Sequence, residues 1–289
     1  MTDLYAPIGH ILLYIFLAPL FGGVLVGLDR IVTARMQSRY GPPLLQPFYD
    51  VLKLLRKQNL TVNRFHSYFL CWFLVFMLVS GSMFFVGSDL LMVIFAFIVA
   101  DMFLVLSAYS TNSPYSSIGA ERELLQMLSA EPMMLIAAVG LYMVTGSFDV
   151  SVIASSGDLL ILYLPGVFLG LVYVLTIKLR KSPFDLSTSH HAHQELVKGV
   201  TTEFAGPSLA LIEIEHWYEM ILLLGMVYLF FAFNTILAVV VTLLVYFLEV
   251  LIDNTNARVK WELMLKSAWL VTLVLGIGNL FVLYFVFHR

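Results

Sequence analysis

Eight apolar runs of about twenty residues, broken by short polar connections, constrain this chain more than any motif in it. They lie near 8–28, 66–86, 90–110, 122–145, 160–179, 217–233, 235–252 and 267–287. A helix rising 1.5 Å per residue crosses a hydrocarbon core of about 30 Å in about twenty residues. Inside that core only helices and closed barrels satisfy every backbone donor and acceptor. The predicted fold class is an all-α integral membrane protein, with about eight transmembrane helices plus amphipathic cytoplasmic helices in one membrane domain, 1–289. Composition agrees: charged residues make up 12% of the chain and mean hydropathy is +0.91, against about 25% charge in soluble domains. The opening MTDLYAPIGH lacks a basic n-region, so 8–28 reads as a retained helix and not a cleaved signal.

Charge sets the orientation. Arg30, Arg35, Arg39, Lys53, Arg56, Lys57 and Arg64 lie between the first two runs, and Arg122 opens the fourth. Lys178, Arg180, Lys181 and Lys198 follow the fifth, and Arg258, Lys260 and Lys266 precede the eighth. The opposite connections carry Asp89, Asp149 and Asp158 without a lysine or arginine. Fifteen of the sixteen basic residues thus share one side, which the positive-inside rule makes the cytoplasm. That places loops 29–65, 180–216 and 253–266 inside and both termini outside. The net charge of −3 argues against a nucleic-acid partner. The single cysteine, Cys71, leaves no thiolate set for an iron–sulfur cluster, so any redox centre belongs to another chain.

In PPLLQPFYDVLKLLRKQ, Leu44, Leu45, Phe48, Val51, Leu52 and Leu55 recur at helical spacing with Lys53, Arg56 and Lys57 opposite. The pattern predicts an amphipathic helix lying along the headgroups. In TTEFAGPSLALIEIEHWYEM, Gly206-Pro207 punctuates the chain before a short helix that leads into the sixth run.

Three acids fall inside apolar runs: Asp101, Glu131 and Glu249. A charge at the bilayer centre costs about 2.5–3.5 kcal/mol even on gentle scales, so such groups face other helices or water and mark ion routes. A structural hydrogen bond between helices is the plainer reading, and Glu249 has room to snorkel. Glu131 lies nine residues past Arg122, about 13 Å deeper along a helix. Pro132 follows it and removes a backbone donor, which suits a hydrated pocket. The connection before the sixth run adds Glu195, Glu203, Glu213, Glu215, His216 and Glu219, and carboxylates so concentrated beside a membrane helix repel one another, which favours shared protons. A solvated acidic face is the alternative.

The loop KSPFDLSTSHHAHQELVKG holds three of the seven histidines. His190 and His193 stand at i,i+3, and His191 and Glu195 at i,i+4. A helical segment would let either pair grip a metal, yet no second cluster completes a site and no metal is assigned. A polar loop, a proton-handling station and a partner contact all remain open. Asp185 can orient a histidine or cap the segment after it.

These residues carry a resemblance. Lys181, Pro183, Phe184, Asp185, Leu186, Glu195, Leu196, Val197, Thr202, Glu203 and Gly206 stand in an order that resembles the NuoH family, a membrane subunit of respiratory complex I (NADH:quinone oxidoreductase). ARMQSRYGP and LLQPFYDVLKL are similar to that family's first cytoplasmic loop. NSPYSSIGAERELLQMLSAEP is similar to its Arg–Gln–Glu helix, through Arg122, Gln126 and Glu131. NARVKWELM is similar to the basic loop before its last helix. The departures point further. The loop after Pro43 is shorter, STSHHAHQE replaces an acidic run, and His216 stands where a later glutamate would, with Glu213 a turn earlier. Together SHHAHQE, TTEF and EIEHWYE resemble the homologous subunit of membrane-bound, energy-converting [NiFe] hydrogenases.

That resemblance implies a membrane anchor with no catalytic residue and no cofactor of its own. The implied partners are hydrogenase large and small subunits, a ferredoxin-like iron–sulfur subunit and antiporter-like membrane subunits. The NiFe centre and [4Fe–4S] clusters would reside on them. The implied reaction is reversible ferredoxin oxidation with H₂ evolution, coupled to H⁺ or Na⁺ translocation across a prokaryotic plasma membrane. Glu131, Glu203 and Glu213 would form the route inward, with Asp101, Glu215, His216 and Glu249 as stations. Arg35, Arg39, Arg122 and Lys181 would set the local field or hold partner loops, alongside Asp185, His190, His191, His193 and Glu195. A quinone-reducing complex I relative and a stand-alone transporter are the alternatives.

Overall fold

The computed structural model describes residues 2–58, 63–187 and 199–287, and among them the chain is helical except for turns and one antiparallel bridge between Asp89 and Asp149. The helices are α1 (Thr2–Met36), α2 (Gln46–Leu55), α3 (Arg64–Val86), α4 (Leu90–Tyr109), α5 (Pro114–Thr145), α6 (Val150–Ala154), α7 (Pro165–Lys178), α8 (Pro207–Leu229), α9 (Thr235–Thr255), α10 (Trp261–Val271) and α11 (Gly278–Phe287). A π-helical stretch, Thr272–Ile277, joins α10 to α11 so that Trp261–Phe285 runs as one helix.

Six helices are long and apolar enough to span a bilayer: α1, α3, α4, α5, α9 and the α10–α11 unit. The protein is multi-pass. The remaining two runs resolve differently. The fifth becomes a 3-10 turn, Leu160–Leu162, followed by α7, whose 14 residues reach only about 21 Å. The sixth becomes α8, a single 23-residue helix that starts on Pro207 and carries Glu213, Glu215 and Glu219. Among the described residues, no separate short helix precedes it. Helix α5 begins at Pro114, so Arg122 lies two turns inside it instead of at its start. Proline fits a first helical position because its missing N–H is an orphan there anyway.

The chain forms two compact units. The first comprises Met1–Ser82, Ala96–Leu124 and Asp185–Ile221; the second comprises Met83–Phe95, Leu125–Phe184 and Leu222–Arg289.

Within the first unit, α1 contains Pro19, which supplies no N–H to the carbonyl of Ile15. The Tyr218 hydroxyl donates to that carbonyl at 2.6 Å instead, tying α8 to α1. A proline break and a buried phenol thus satisfy each other. At the membrane-entry end, His66 contacts the Ser208 hydroxyl at 3.3 Å, and Ser107 donates to the His66 carbonyl at 2.8 Å.

In the second unit, the first N–H groups of α7 are met by a side chain. Asn279 of α11 supplies the cap from a neighbouring helix: its Oδ1 accepts from Gly166 and Val167 at 2.7 and 3.1 Å. Its Nδ2 donates to the Tyr163 carbonyl at 3.0 Å. A side chain at Gly166 would meet the Leu275 carbonyl of the π stretch at 2.6 Å, so glycine permits this approach. Replacing the cap has a defined cost. Asn279→Ala should lower stability by about 1 kcal/mol, the usual worth of an N-cap, read as a lower thermal midpoint in detergent. An unchanged midpoint would show that α7 is held otherwise.

Candidate functional site

Helix α8 carries the densest set of ionisable groups, and its periodicity sorts them. Glu215 and Glu219, one turn apart, are buried at 1% and 2% exposure together with Trp217 and Tyr218. Glu213 and His216 are half-buried, as is Glu203 in the segment before the helix. The acidic stretch is therefore not a solvated face.

Glu215 has phenols for company. Tyr14 of α1 lies within electrostatic reach of both Glu215 and Tyr218, and the two tyrosine rings are 5.4 Å apart. The hydroxyl end of the Tyr14 ring sits against Gly81 of α3, in the place that any side chain there would occupy. Burial to 4% leaves Tyr14 inside the unit. Asp101 is buried at 1% exposure in α4, and Glu123 at 4% in α5. Such groups accept and release protons, and they cannot carry electrons.

The second unit holds a separate charged group. Glu249 is fully buried on α9, with Thr176 and Lys181 as its nearest polar influences and Asp253 one turn away on the same helix. Lys181 pairs with Asp253 at 3.5 Å, and the Ser182 N–H donates to the same carboxylate at 2.8 Å. Glu249 thus does not snorkel to solvent. Glu131 is half-buried with its Oε1 shut off from solvent. Pro132 follows it within α5, so the Leu128 carbonyl has no helical donor.

The segment after α7 is clamped residue by residue. The Pro183 carbonyl accepts from Val259, and Phe184's accepts from Gln126 at 2.6 Å. The Leu186 carbonyl accepts from Arg122 at 3.3 Å, and Ser187's accepts from Val200. Asp185 is buried at 5% exposure. Arg122 therefore holds a loop of its own chain by the backbone. Arg35 lies over the Tyr40 ring at 5.4 Å, and Arg39 is exposed. His190, His191, His193 and Glu195 lie outside the described residues, and the role of the triplet stays with them. Among the described residues, no group of three His, Cys, Asp or Glu side chains is gathered to hold a metal.

Sequence reasoning missed Tyr14, Glu123 and Asn279. Glu123 was legible: Glu123, Gln126, Ala130, Met133 and Ala137 form the buried stripe of α5 at helical spacing. Tyr14 was not, because its partners come from α3 and α8.

Outside the bilayer-spanning helices, Asp50 of α2 shows a readable titration. Partial burial pushes its carboxyl up, but hydrogen bonds from Arg30 and Gln46 and the Arg30 charge outweigh that and hold it below the usual carboxylate range. A depressed folded pKa contributes stability above the unfolded value and loses it as pH falls through the folded one. Arg30→Gln should thus destabilise the chain at pH 7 by about 1 kcal/mol or less, the pair being partly exposed. The difference from wild type should fade as pH drops below the usual carboxylate range and Asp50 protonates in both proteins. A difference that persists in acid would assign Arg30 a packing role.

Residues 9–284 match the family described as NADH dehydrogenase. The chain is 28% identical to hydrogenase-4 component C of Escherichia coli K12, over 89% of this chain and 88% of that protein. It is 27% identical to formate hydrogenlyase subunit 4 of the same organism, over 93% and 95%. Against a subunit of the NADH-quinone oxidoreductase of Dehalococcoides mccartyi strain 195 it is 25% identical, over 97% and 87%. The fold is that of a chain in the membrane-bound sulfane sulfur reductase, an archaeal respiratory membrane complex, with TM-score 0.84, 23% identity and coverage of 96% and 99%. With residues 9–284 matched and six helices long and apolar enough to span a bilayer, the chain belongs to the NADH dehydrogenase family.

Proposed function

We propose that this chain is the membrane anchor and coupling subunit of an energy-converting hydrogenase complex. Its basic loops dock the hydrogenase large and small subunits and a ferredoxin-like iron–sulfur subunit, and antiporter-like chains pack beside it in a prokaryotic plasma membrane, with both termini on the outer side. Electrons stop at clusters on the partners. Coupling then passes as charge through Asp101, Glu131, Glu203, Glu213, Glu215, His216 and Glu249 to the translocation of H⁺ or Na⁺. The observation that carries this reading is the enclosure of Asp101, Glu215 and Glu249, at 0–1% exposure, in a chain whose full length is similar to hydrogenase-4 and formate hydrogenlyase subunits.

The likeness to the NADH-quinone oxidoreductase subunit over 97% of the chain supports a second reading, a quinone-reducing relative. One preparation separates the two. The intact complex, isolated through a tag on this chain, should evolve H₂ from reduced ferredoxin and contain nickel. Reduction of a quinone analogue without H₂ evolution would favour the second reading and overturn the first.

A further inference from the structure

Helix α2 has two apolar faces where an ordinary surface helix has one. The inner face packs into the first unit: Val51 and Phe48 join Trp217, Ala210 and Val26. The outer face leaves Leu45, Tyr49, Leu52 and Leu55 about half-exposed at i, i+4, i+7 and i+10. Lys53, Arg56 and Lys57 are exposed at the C-terminal end of the same helix. Its single carboxylate, Asp50, is occupied by Arg30 at 2.7 Å. The result is an apolar stripe edged by cations.

Depth comes from α1. Between Pro7 and Leu28 that helix carries no Asp, Glu, Lys or Arg, and Asp29 and Arg30 end the apolar stretch. Those 22 residues rise about 33 Å, close to the hydrocarbon thickness. Helix α2 is fixed at that level: Leu44 and Phe48 press on Gly27 and Gly23, where side chains would collide with them, and Arg30 reaches Asp50. A stripe of leucines with a tyrosine, held at the end of an apolar span, lies at the depth of the acyl–headgroup boundary.

We infer that α2 is a binding site for the headgroup of an anionic phospholipid, with Lys53, Arg56 and Lys57 taking the phosphate and the Leu45–Leu55 stripe taking the acyl chains. The occupant is lipid and not soluble phosphate, because a phosphate alone leaves the leucine stripe wet. This site stands apart from the coupling route and does not depend on the proposed function.

The test titrates the full chain in neutral detergent with dioctanoyl phosphatidylglycerol, dioctanoyl phosphatidylcholine or inorganic phosphate, and reads affinity by calorimetry. Phosphatidylglycerol should bind most tightly and weaken as salt rises. Each basic residue removed should weaken it roughly fivefold, and Lys53→Gln/Arg56→Gln/Lys57→Gln together on the order of a hundredfold. Lys260→Gln/Lys266→Gln, a loss of charge elsewhere, should leave it within about twofold. Equal binding of both lipids, or undiminished binding by the triple variant, overturns the site. Phosphate binding as tightly as phosphatidylglycerol overturns the lipid assignment. In the intact complex, a fluorophore on Leu52→Cys (with Cys71→Ser) should be quenched by a lipid-borne nitroxide; failure of quenching means a partner protein covers the helix, and the inference falls.

Discussion

Gly119→Ala should markedly lower the stability of the folded chain. Gly119 lies in the second turn of α5, on a face where the backbone of Gly199 and Val200 passes over it. A methyl group there would collide with the Val200 nitrogen and the Gly199 carbonyl carbon, which are backbone atoms and have no rotamer to escape through. The passing strand is itself pinned. Val200 donates to the Ser187 carbonyl at 3.0 Å, Ser116 donates to the Val200 carbonyl, and Gly199 holds φ +76. Neither side yields cheaply, so the cost should reach about 3 kcal/mol, the upper end for overpacking. The folded-to-unfolded ratio then falls on the order of a hundredfold, read as a lower thermal midpoint after detergent extraction. Gly9→Ala serves as the control, since nothing lies within 4 Å of its side-chain position. An unchanged midpoint for Gly119→Ala would mean that residues 199–204, which carry Glu203, are not fixed against α5.

What the sequence made legible follows from where the determining contacts lie. Helix α2 was readable because its own residues alternate, with Val51 inside and Lys53 outside. The six spans were readable because lipid imposes length and apolarity on each helix alone. Helices α7 and α8 were not, because what they need comes from elsewhere. The N-terminus of α7 depends on Asn279, more than a hundred residues later, and no local pattern announces a cap lent by another helix. The glutamates of α8 lower its hydropathy, yet Glu215 and Glu219 are buried, with Tyr14 of α1 within electrostatic reach of Glu215. The early start of α5 hid behind polar residues, Ser116 to Gln126, whose buried members pack inward at helical spacing. The π stretch between α10 and α11 has no sequence mark beyond Gly276 and Gly278.

Glu215→Gln should separate the two halves of the proposed function: H₂ evolution by the intact complex stays within about twofold, while ion translocation falls about a hundredfold, the low end of what a positioned proton-transfer group contributes. The substitution keeps shape and hydrogen bonding but removes the group's ability to take up a proton, so packing of α8 against α1 should survive. That survival is itself measurable, because Tyr218 must still close on the Ile15 carbonyl freed by Pro19 for the bundle to hold its thermal midpoint. Tyr14→Phe gives the graded companion. It leaves the ring seated on Gly81 and deletes only the hydroxyl that bears on Glu215, so translocation should drop roughly tenfold, short of the glutamate's loss. If both variants pump normally, protons do not pass Glu215, and the buried acids of α8 serve only to fix its packing. If H₂ evolution and translocation fall together while the midpoint holds, Glu215 acts on the partner's redox step instead of on the route away from it. Only the split result, with chemistry intact and pumping lost, fits an acid that changes charge inside the membrane in answer to electrons it never carries.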